Sequence, residues 1–400
     1  MSVLLSNESS SFSVSSPVAG STFSLKRLKG REAISELFSF DVLVASENAN
    51  VDLSQCMGKD MSITFSASGS ESNADERYFH GTVARVSQVE IEEKDKGNVS
   101  YYRMILRPKA WLLTQSKSYR IFQNQTAAQI IKDVLNEGGV TDIQDDLRSA
   151  GQTTREYCVQ YGESNFDFIS RLMEEKGIAY TFSHESSLHK MILMEAVGSY
   201  QFSTRSQTIS ISKAQSGALI FNEIIECEVH HGITLGSVQG VDYNFENPNT
   251  ALKSTSQGES QIGGEWMEYP AGVDHEQKAA QSIVDSTSDS IINAAESTVD
   301  TLTGNSTCPF FTAGKKFGLS GHIRTSLNKD HVVVSVEHSI EVQTKDLSGI
   351  AYQNSFSAIP ATVFIQLQKA HHALEFLAPK QQKLSVQKEK RFGPINMVVS

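Results

Sequence analysis

Alternating apolar and polar positions dominate the first hundred residues and predict short β-strands. Every second residue is apolar from Phe38 to Val44. The same alternation recurs over Met61–Phe65, Tyr78–Val83 and Tyr102–Leu106, and a loop rich in Ser, Gly and acidic residues interrupts it. Short strands separated by turn residues are typical of a β-barrel or a β-sandwich. The sequence therefore predicts a β-domain that begins near Thr22.

Two helices are predicted in the middle of the chain, each with a recognisable start and end. The first begins at a capping box of Thr126 and Gln129 and ends at Gly138. The second begins at Ser164, with Asp167 three residues later, and ends at Gly177. Helical spacing predicts one buried face on each, formed by Ile130, Ile131, Val134 and Leu135 and by Phe168, Ile169, Leu172 and Met173.

Strands are predicted on both sides of the second helix, because the period changes from helical to alternating. The apolar positions of these two strands are Tyr157, Val159, Tyr161 and Ile178, Tyr180, Phe182. We interpret the stretch as a strand–helix–strand unit whose alternating apolar side chains form a buried face. Nothing in this unit is catalytic by itself.

Strands resume between Ser216 and Phe245 and again after Gly304, with a different composition between them. Ser, Thr, Gln and Gly dominate from Asn247 to Gly264, and Gln277–Leu302 has near-heptad apolar spacing that predicts a helix. Two arrangements stay open from the residues alone. Either the two strand regions complete one barrel with an insertion, or they form separate sheets.

Composition limits the classes of protein to which the chain can belong. Its 400 residues exceed one ordinary hydrophobic core and predict two to four domains. The net charge of −11 disfavours binding to nucleic acid or to anionic membranes, and the basic tract Lys380–Arg391 has too few aromatic residues to stack on single strands. No apolar run is long enough to cross a membrane, and the first residues lack the basic leader of a signal peptide.

Candidate chemistry is sparse. The adjacent pairs His230–His231 and His371–His372 have the wrong spacing for a shared metal ion, and no HExxH, GxSxG or phosphate-binding glycine loop occurs. Adjacent Glu174 and Glu175 are interpreted as a solvated helix face. We interpret Gly81 as a site of a bulge or of close packing, and His80 as a strand cap. The four cysteines, Cys56, Cys158, Cys227 and Cys308, are scattered and expected to be reduced.

Several segments resemble one family. Residues 157–184, with the sequence YCVQYGESNFDFISRLMEEKGIAYTFSH, resemble the VgrG proteins of type VI secretion systems, which are similar to baseplate hubs of contractile phages. The segments ELFSFDVLVAS, RYFHGTV and Tyr119–Gln123 also resemble VgrG. The resemblance ends near Arg391–Pro394, which looks like the join to an OB-fold. The OB-fold and β-helix needle of VgrG are expected to be absent from these 400 residues.

The resemblance implies an α+β, mostly β fold with two related antiparallel tube barrels. The implied parts are a flexible lead-in, a first barrel, an α+β domain, a second barrel in two pieces, a polar and helical insertion, and a C-terminal segment. Their predicted boundaries are 1–21, 22–113, 114–204, 205–246 with 309–365, 247–308 and 366–400.

The resemblance also implies a function without catalysis. The chain is expected to form a homotrimer, to stack on the Hcp tube hexamer, to contact baseplate proteins, and to leave the cell through the apparatus. Effectors or a PAAR-type tip are expected partners where another chain supplies the spike. No catalytic, cofactor-binding or metal-binding residue is expected. A tail-associated cell-wall hydrolase and a carbohydrate-binding β-protein are the alternatives.

Overall fold

The computed structural model describes residues 11–66, 76–94, 97–203, 207–212, 222–244, 247–260, 262–269, 271, 281–343 and 349–366. Strands predominate, as predicted, and a 13-stranded sheet runs through both barrels. The loop between Ser66 and Glu76, most of the C-terminal segment and the tract Lys380–Arg391 lie outside the described residues.

The first barrel confirms the strands predicted from the alternating pattern. Its elements are β1 (Ser11–Val14), β2 (Ser24–Ala33), β3 (Ser39–Ser46), α1 (Leu53–Cys56), β4 (Asp60–Ser66), β5 (Glu76–Lys94) and β6 (Gly97–Arg107). The strands are ordered β1-β4-β5-β6-β3-β2, and their alternate apolar side chains are buried. β1 pairs with β4, so part of the predicted flexible lead-in is a strand. Its apolar Phe12 packs on Phe65, a contact that the local sequence did not reveal.

The α+β domain follows. Its elements are β7 (Lys117–Thr126), α2 (Ala127–Glu137), β8 (Ile143–Asp145), β9 (Thr154–Ser164), α3 (Asn165–Glu175), β10 (Ala179–His184) and β11 (His189–Met194). Both predicted helices are confirmed: Thr126 and Gln129 form the capping box, and Ser164 caps α3 by accepting from the N–H of Asp167. Gly177 has a φ of +63°, and the predicted apolar faces of both helices are buried.

One strand of this domain buries the face opposite to the one that the sequence predicted. β9 pairs with β7, but Cys158 and Gln160 are its buried positions, whereas Tyr161 is 52% exposed. The alternation of the strand was therefore predicted, and its buried face was wrong. The reason is that the inner face accommodates polar side chains: Gln160 lies in a hydrogen-bonded group with Arg120 and Asn165.

The second barrel is formed by β12 (Gln201–Phe202), β13 (Thr208–Ile211), β14 (Glu223–His231), β18 (Asp300–Ser306), β19 (Lys315–Ser320), β20 (Asp330–Gln343) and β21 (Gly349–Pro360). Its closed circuit of paired strands is β13-β19-β20-β21-β18-β14 and back to β13. Six of its strands (β13, β14, β18, β19, β20 and β21) take the same places in the order as β1 to β6, and β12 has no counterpart. β13 pairs in parallel with β14 and β19, whereas β1 is antiparallel to β4, so the barrels are antiparallel apart from β12 and β13. The two barrels are therefore related, as expected.

The insertion lies between β14 and β18. It contains β15 (Ser237–Tyr243), β16 (Ala251–Gln257), β17 (Glu265–Glu268) and α4 (Gln281–Glu296), and the strands form a sheet ordered β16-β15-β17. The predicted boundaries were wrong by one strand on each side: β15 belongs to the insertion sheet and β18 to the barrel. The predicted helix also extended too far, because Leu302 is a barrel residue in β18. The shift in composition at Asn247 does not follow sheet membership, which depends on distant pairing.

Candidate functional site

The two barrels meet along one pair of strands. β2 of the first barrel runs antiparallel to β20 of the second, from Arg27 opposite Glu341 to Ala33 opposite Ser335. At the surface of this seam the Arg31 guanidinium donates to the carboxylate of Glu337 over 3.0 Å. The barrels therefore share a continuous hydrogen-bonded sheet, which fixes their relative position more firmly than a loop could.

A buried ion pair lies beneath the seam. The Nη2 atom of Arg77, in β5, is 2.5 Å from Oε1 of Glu32, in β2, and both side chains are almost fully buried. The Nε2 atoms of His184, in β10, and His338, in β20, lie 3.6 and 3.7 Å from the same carboxylate oxygen. One carboxylate thus contacts residues from both barrels and from the α+β domain. We call these four residues the junction cluster.

Burial controls the charge of the junction cluster. It lowers the pKa of His184 and of His338 well below the ordinary value, and the neighbouring Arg77 guanidinium lowers both further. Both imidazoles are therefore neutral at physiological pH. Burial raises the pKa of Glu32, while Arg77 opposes that rise. A buried pair of this kind adds little net stability, because the cost of removing both charges from water offsets their attraction.

On the side of the second barrel, a polar group from β21 supports His338. The hydroxyl oxygen of Tyr352 is 2.7 Å from Nδ1 of His338. The side-chain amide of Asn354 donates to the carbonyl of Cys308 over 2.7 Å and to the Tyr352 hydroxyl over 2.9 Å. These contacts orient the His338 ring so that its other nitrogen faces Glu32.

On the side of the first barrel, two further histidines link the strands. The backbone N–H of Lys109 donates to Nε2 of His189 over 3.0 Å, so the proton of this neutral ring lies on Nδ1. That Nδ1 is 3.0 Å from Nδ1 of His80, which accepts. Burial lowers the pKa of His189 to about 3 and also lowers that of His80. His80 is thus an interior residue of β5, and the expectation that it caps a strand was wrong.

The neighbouring Gly81 confirms the close-packing interpretation. A Cβ atom at this position would lie 3.0 Å from Cβ of Leu106 and 3.1 Å from the ring of Phe38. The bulge in this part of β5 is located at Ala84 instead.

The adjacent glutamates of α3 are not solvated, which corrects the sequence prediction. Glu174 is buried, and the Glu175 carboxylate pairs with Arg155 and, over 2.6 Å, with Lys176. Burial alone would raise the pKa of Glu175, but the charges of Lys176 and Arg155 outweigh it and lower that pKa to about 2. Arg155, in β9, is itself buried, so the ion pair between Glu175 at the end of α3 and Arg155 lies inside the domain.

Of the histidines considered for metal binding, the structure describes His230 and His231. His230 and His231 lie at the exposed end of β14, where their nearest polar partners are Thr303 at 2.9 Å and Asp300 at 2.7 Å. His371 and His372 lie outside the described residues. Within the described ranges, no group of three His, Cys, Asp or Glu residues is arranged to hold a metal ion. The expectation that no catalytic or metal-binding residue exists stays a prediction.

The junction cluster itself was missed by the sequence analysis. Its one local signal is a charged or polar side chain at an inward position of a strand, as at Glu32 and Arg77. Such a signal does not say which distant strands meet there. The four cysteines, by contrast, are free thiols as expected, and burial raises the pKa of Cys308 to about 12.

Comparison with known proteins places this architecture. Residues 31–344 match the family described as the phage tail baseplate hub (GPD). The chain belongs to this family. This chain, called the hub chain below, is 32% identical over 334 residues to the type VI secretion system spike protein VgrG1a of Pseudomonas aeruginosa. The aligned region covers 82% of the hub chain and 49% of VgrG1a. The hub chain thus spans about half the length of the curated relatives it matches.

Solved structures share the fold of the hub chain. The Escherichia coli c3393 protein, described as a type VI secretion component similar to the T4 tail proteins gp27 and gp5, superposes with a TM-score of 0.60 at 17% identity, covering 90% of the hub chain and 80% of that chain. A 43 kDa prophage tail protein of Shewanella oneidensis superposes with a TM-score of 0.59 at 10% identity, covering 89% and 99%. No helix in the described part of the hub chain is both long and apolar enough to span a membrane.

Proposed function

We propose that this chain is a structural hub of a type VI secretion, or contractile injection, apparatus. It assembles as a homotrimer and stacks on the ring of the Hcp tube. The observation that carries the proposal is the pair of related barrels, with the same strand order, held side by side by the β2–β20 seam. Membership of the baseplate hub family and the likeness to spike proteins support it.

The proposed mechanism is geometric. Two barrels in each of three copies make six similar barrels around one axis. Such a ring matches a hexameric tube subunit by subunit, while its true three-fold symmetry matches a trimeric spike. The chain thereby adapts one symmetry to the other without any chemical step.

A rigid relation between the barrels is required for this role, and the junction cluster supports it. Rotation of one barrel against the other would separate Glu32 from His338 and break the sheet across the seam. Separation would also leave buried charged and polar groups without their partners, which raises the free energy of the chain. The two barrels therefore present a fixed pair of faces to the tube.

The proposed cellular course follows from the same role. The chain folds in the cytoplasm, joins baseplate proteins and the tube, and leaves the cell through the apparatus, while effectors or a PAAR-type tip attach where another chain provides the spike. The role is not enzymatic. The hydrolase and carbohydrate-binding alternatives have no observation in their favour among the described residues.

Sedimentation of the purified chain across about a hundredfold range of concentration tests the assembly. We expect a concentration-dependent trimer, detectable at roughly tens of micromolar, that co-sediments with Hcp rings. A variant within the α+β domain, Lys132→Ala, serves as the control and is expected to keep both properties, because Lys132 pairs with Asp145 of the same domain. A strict monomer at the highest concentration, or a dimer, contradicts the proposal.

A further inference from the structure

Each barrel contains a long strand that is paired along only part of one edge by the described strands. β5 pairs with β4 only over Glu76–Thr82, so beyond Val83 none of the described strands pairs along that edge. β14 pairs with β13 only at Glu223 and Ile224, and Glu226–His231 pairs with β18 on its other side. Open edges present unpaired backbone N–H and C=O groups, which another strand can satisfy.

The counterparts of these two strands are already paired with each other. In the shared strand order, β5 of the first barrel corresponds to β20 of the second, and β14 corresponds to β2. Inside the chain, β2 covers the edge of β20 that corresponds to the open edge of β5. The seam that joins the two barrels thus occurs once among the described strands, and no described strand pairs with the two edges that would form it again.

Position rules out pairing of the two open edges within one chain. β5 is separated from the seam by β6, β3 and β2, and β14 is separated from it by β18, β21 and β20. The open edges therefore lie on the outer flanks of the two barrels. A contact between different surfaces of successive copies is heterologous, and it produces a ring when the rotation closes.

Matching bulges align the counterpart strands residue by residue. The extra residue is Ala84 in β5 and Val334 in β20, and it is Lys26 in β2 and Ile225 in β14. Bulges are specific features that fix the register of a strand. Because the bulges agree in both pairs of strands, residues at the same distance after the bulge occupy equivalent positions in the two barrels.

Counting gives the register of the unformed seam. Gly30 and Val229 both lie four residues after their bulges (30 − 26 and 229 − 225), as do His338 and Gln88 (338 − 334 and 88 − 84). Because Gly30 lies opposite His338, Val229 is expected opposite Gln88. The equivalence between β5 and β20 holds only as far as Gln88, because β5 has a second bulge at Val89 that β20 lacks.

We propose that β14 of one copy adds antiparallel to the open edge of β5 in the next copy, with Val229 opposite Gln88 and His230 opposite Ser87. The occupant of each edge is therefore a second copy of this chain. The inference rests on the proposed self-assembly and specifies its interface. The exposure of Val229 (39%) and of Val89 (58%) on these flanks agrees with apolar side chains that a neighbouring copy would cover.

Mixed cysteine variants test the seam directly. One preparation carries Gln88→Cys and a second carries Val229→Cys, each with Cys227→Ser to remove the half-buried native thiol of β14. Opposite residues of an antiparallel pair have Cα atoms about 4.5–5.5 Å apart, which is within disulfide reach. Under mild oxidation we expect a disulfide-linked dimer when the preparations are mixed and none from either preparation alone.

A shift of one residue is the matched control. Ser87→Cys mixed with Val229→Cys places the thiols on opposite faces of the new sheet, so we expect loss of the dimer. Ser87→Cys mixed with His230→Cys restores the register and the dimer. This second matched pair also keeps the test decisive if the Gln88 variant, checked by its thermal melting, is less stable than the parent.

The outcomes separate the seam from the proposed function. A trimer in sedimentation without any matched disulfide overturns the seam and leaves the hub function standing. Dimers from a single preparation indicate a symmetric contact and also overturn the seam. A monomer at every concentration overturns both proposals.

Discussion

The buried pair of Glu32 and Arg77 should be far more sensitive to the loss of one partner than to the loss of both. Arg77→Met leaves the Glu32 carboxylate in a site where its side chain is 5% exposed. Breaking a buried pair in this way costs about 3–5 kcal/mol of unfolding free energy, because one charge remains unpaired. Replacing both residues, with Arg77→Met and Glu32→Leu, should cost less than either single change, since no buried charge is left.

Urea unfolding at low protein concentration measures this effect, because dilution removes the contribution of assembly. Circular dichroism reports the barrels, and the fluorescence of Trp111, beside Arg107 of the first barrel, reports the adjoining region. The control is the exposed Arg31 of the same seam, which pairs with Glu36 and with Glu337, and Arg31→Met should cost no more than about 1 kcal/mol. If Arg77→Met is no more destabilising than that control, or if the double variant loses the sum of the single losses, the reasoning is refuted.

Three further predictions concern stability. Acidification below about pH 6.5 should destabilise the fold, because histidines of the unfolded chain take up protons there while the buried rings of the folded chain stay neutral. The unfolding free energy should fall by at most about 1.4 kcal/mol per pH unit for each ring. The rings concerned are His80, His184, His189 and His338. Unfolding at pH 7.5 and 5.5 checks this, and an unchanged midpoint contradicts it. Leu172→Asp should cost several kcal/mol (roughly 3–5) by placing an unpaired charge on the buried face of α3, and a variant that melts like the parent shows otherwise. Thr126→Ala should cost about 1 kcal/mol in urea by removing the cap of α2, whereas an effect within error indicates that the box is not stabilising.

Local patterns predicted what depends on neighbours in sequence. The cap at Thr126, the stop at Gly177 and the apolar stripes of both helices involve residues within one or two turns of each other. The contacts that stabilise these features lie within one helix and its caps, so the local sequence is sufficient to predict them. The alternation of the barrel strands is equally local, and it identified most of the strands without saying which of them pair.

The faces and partners of the strands were decided elsewhere. In β9 the alternation was visible, but its apolar side chains lie on the outer face, because Gln160 and its neighbour Cys158 pack inward. The pattern alone assumes that apolar side chains point to the core, and a buried polar group reverses that assumption. The membership of β15 and β18 was misassigned for a related reason: an amphipathic strand has no local mark of the sheet it joins.

The sequence by itself determined the class of fold, the helices with their caps, and the family resemblance carried by residues 157–184. Tertiary structure alone decided the junction cluster and the two open edges. Glu32 and His338 are separated by about three quarters of the chain and become neighbours because β2 pairs with β20. Strand pairing between distant segments is a property of the whole closed sheet, and no local pattern specifies it.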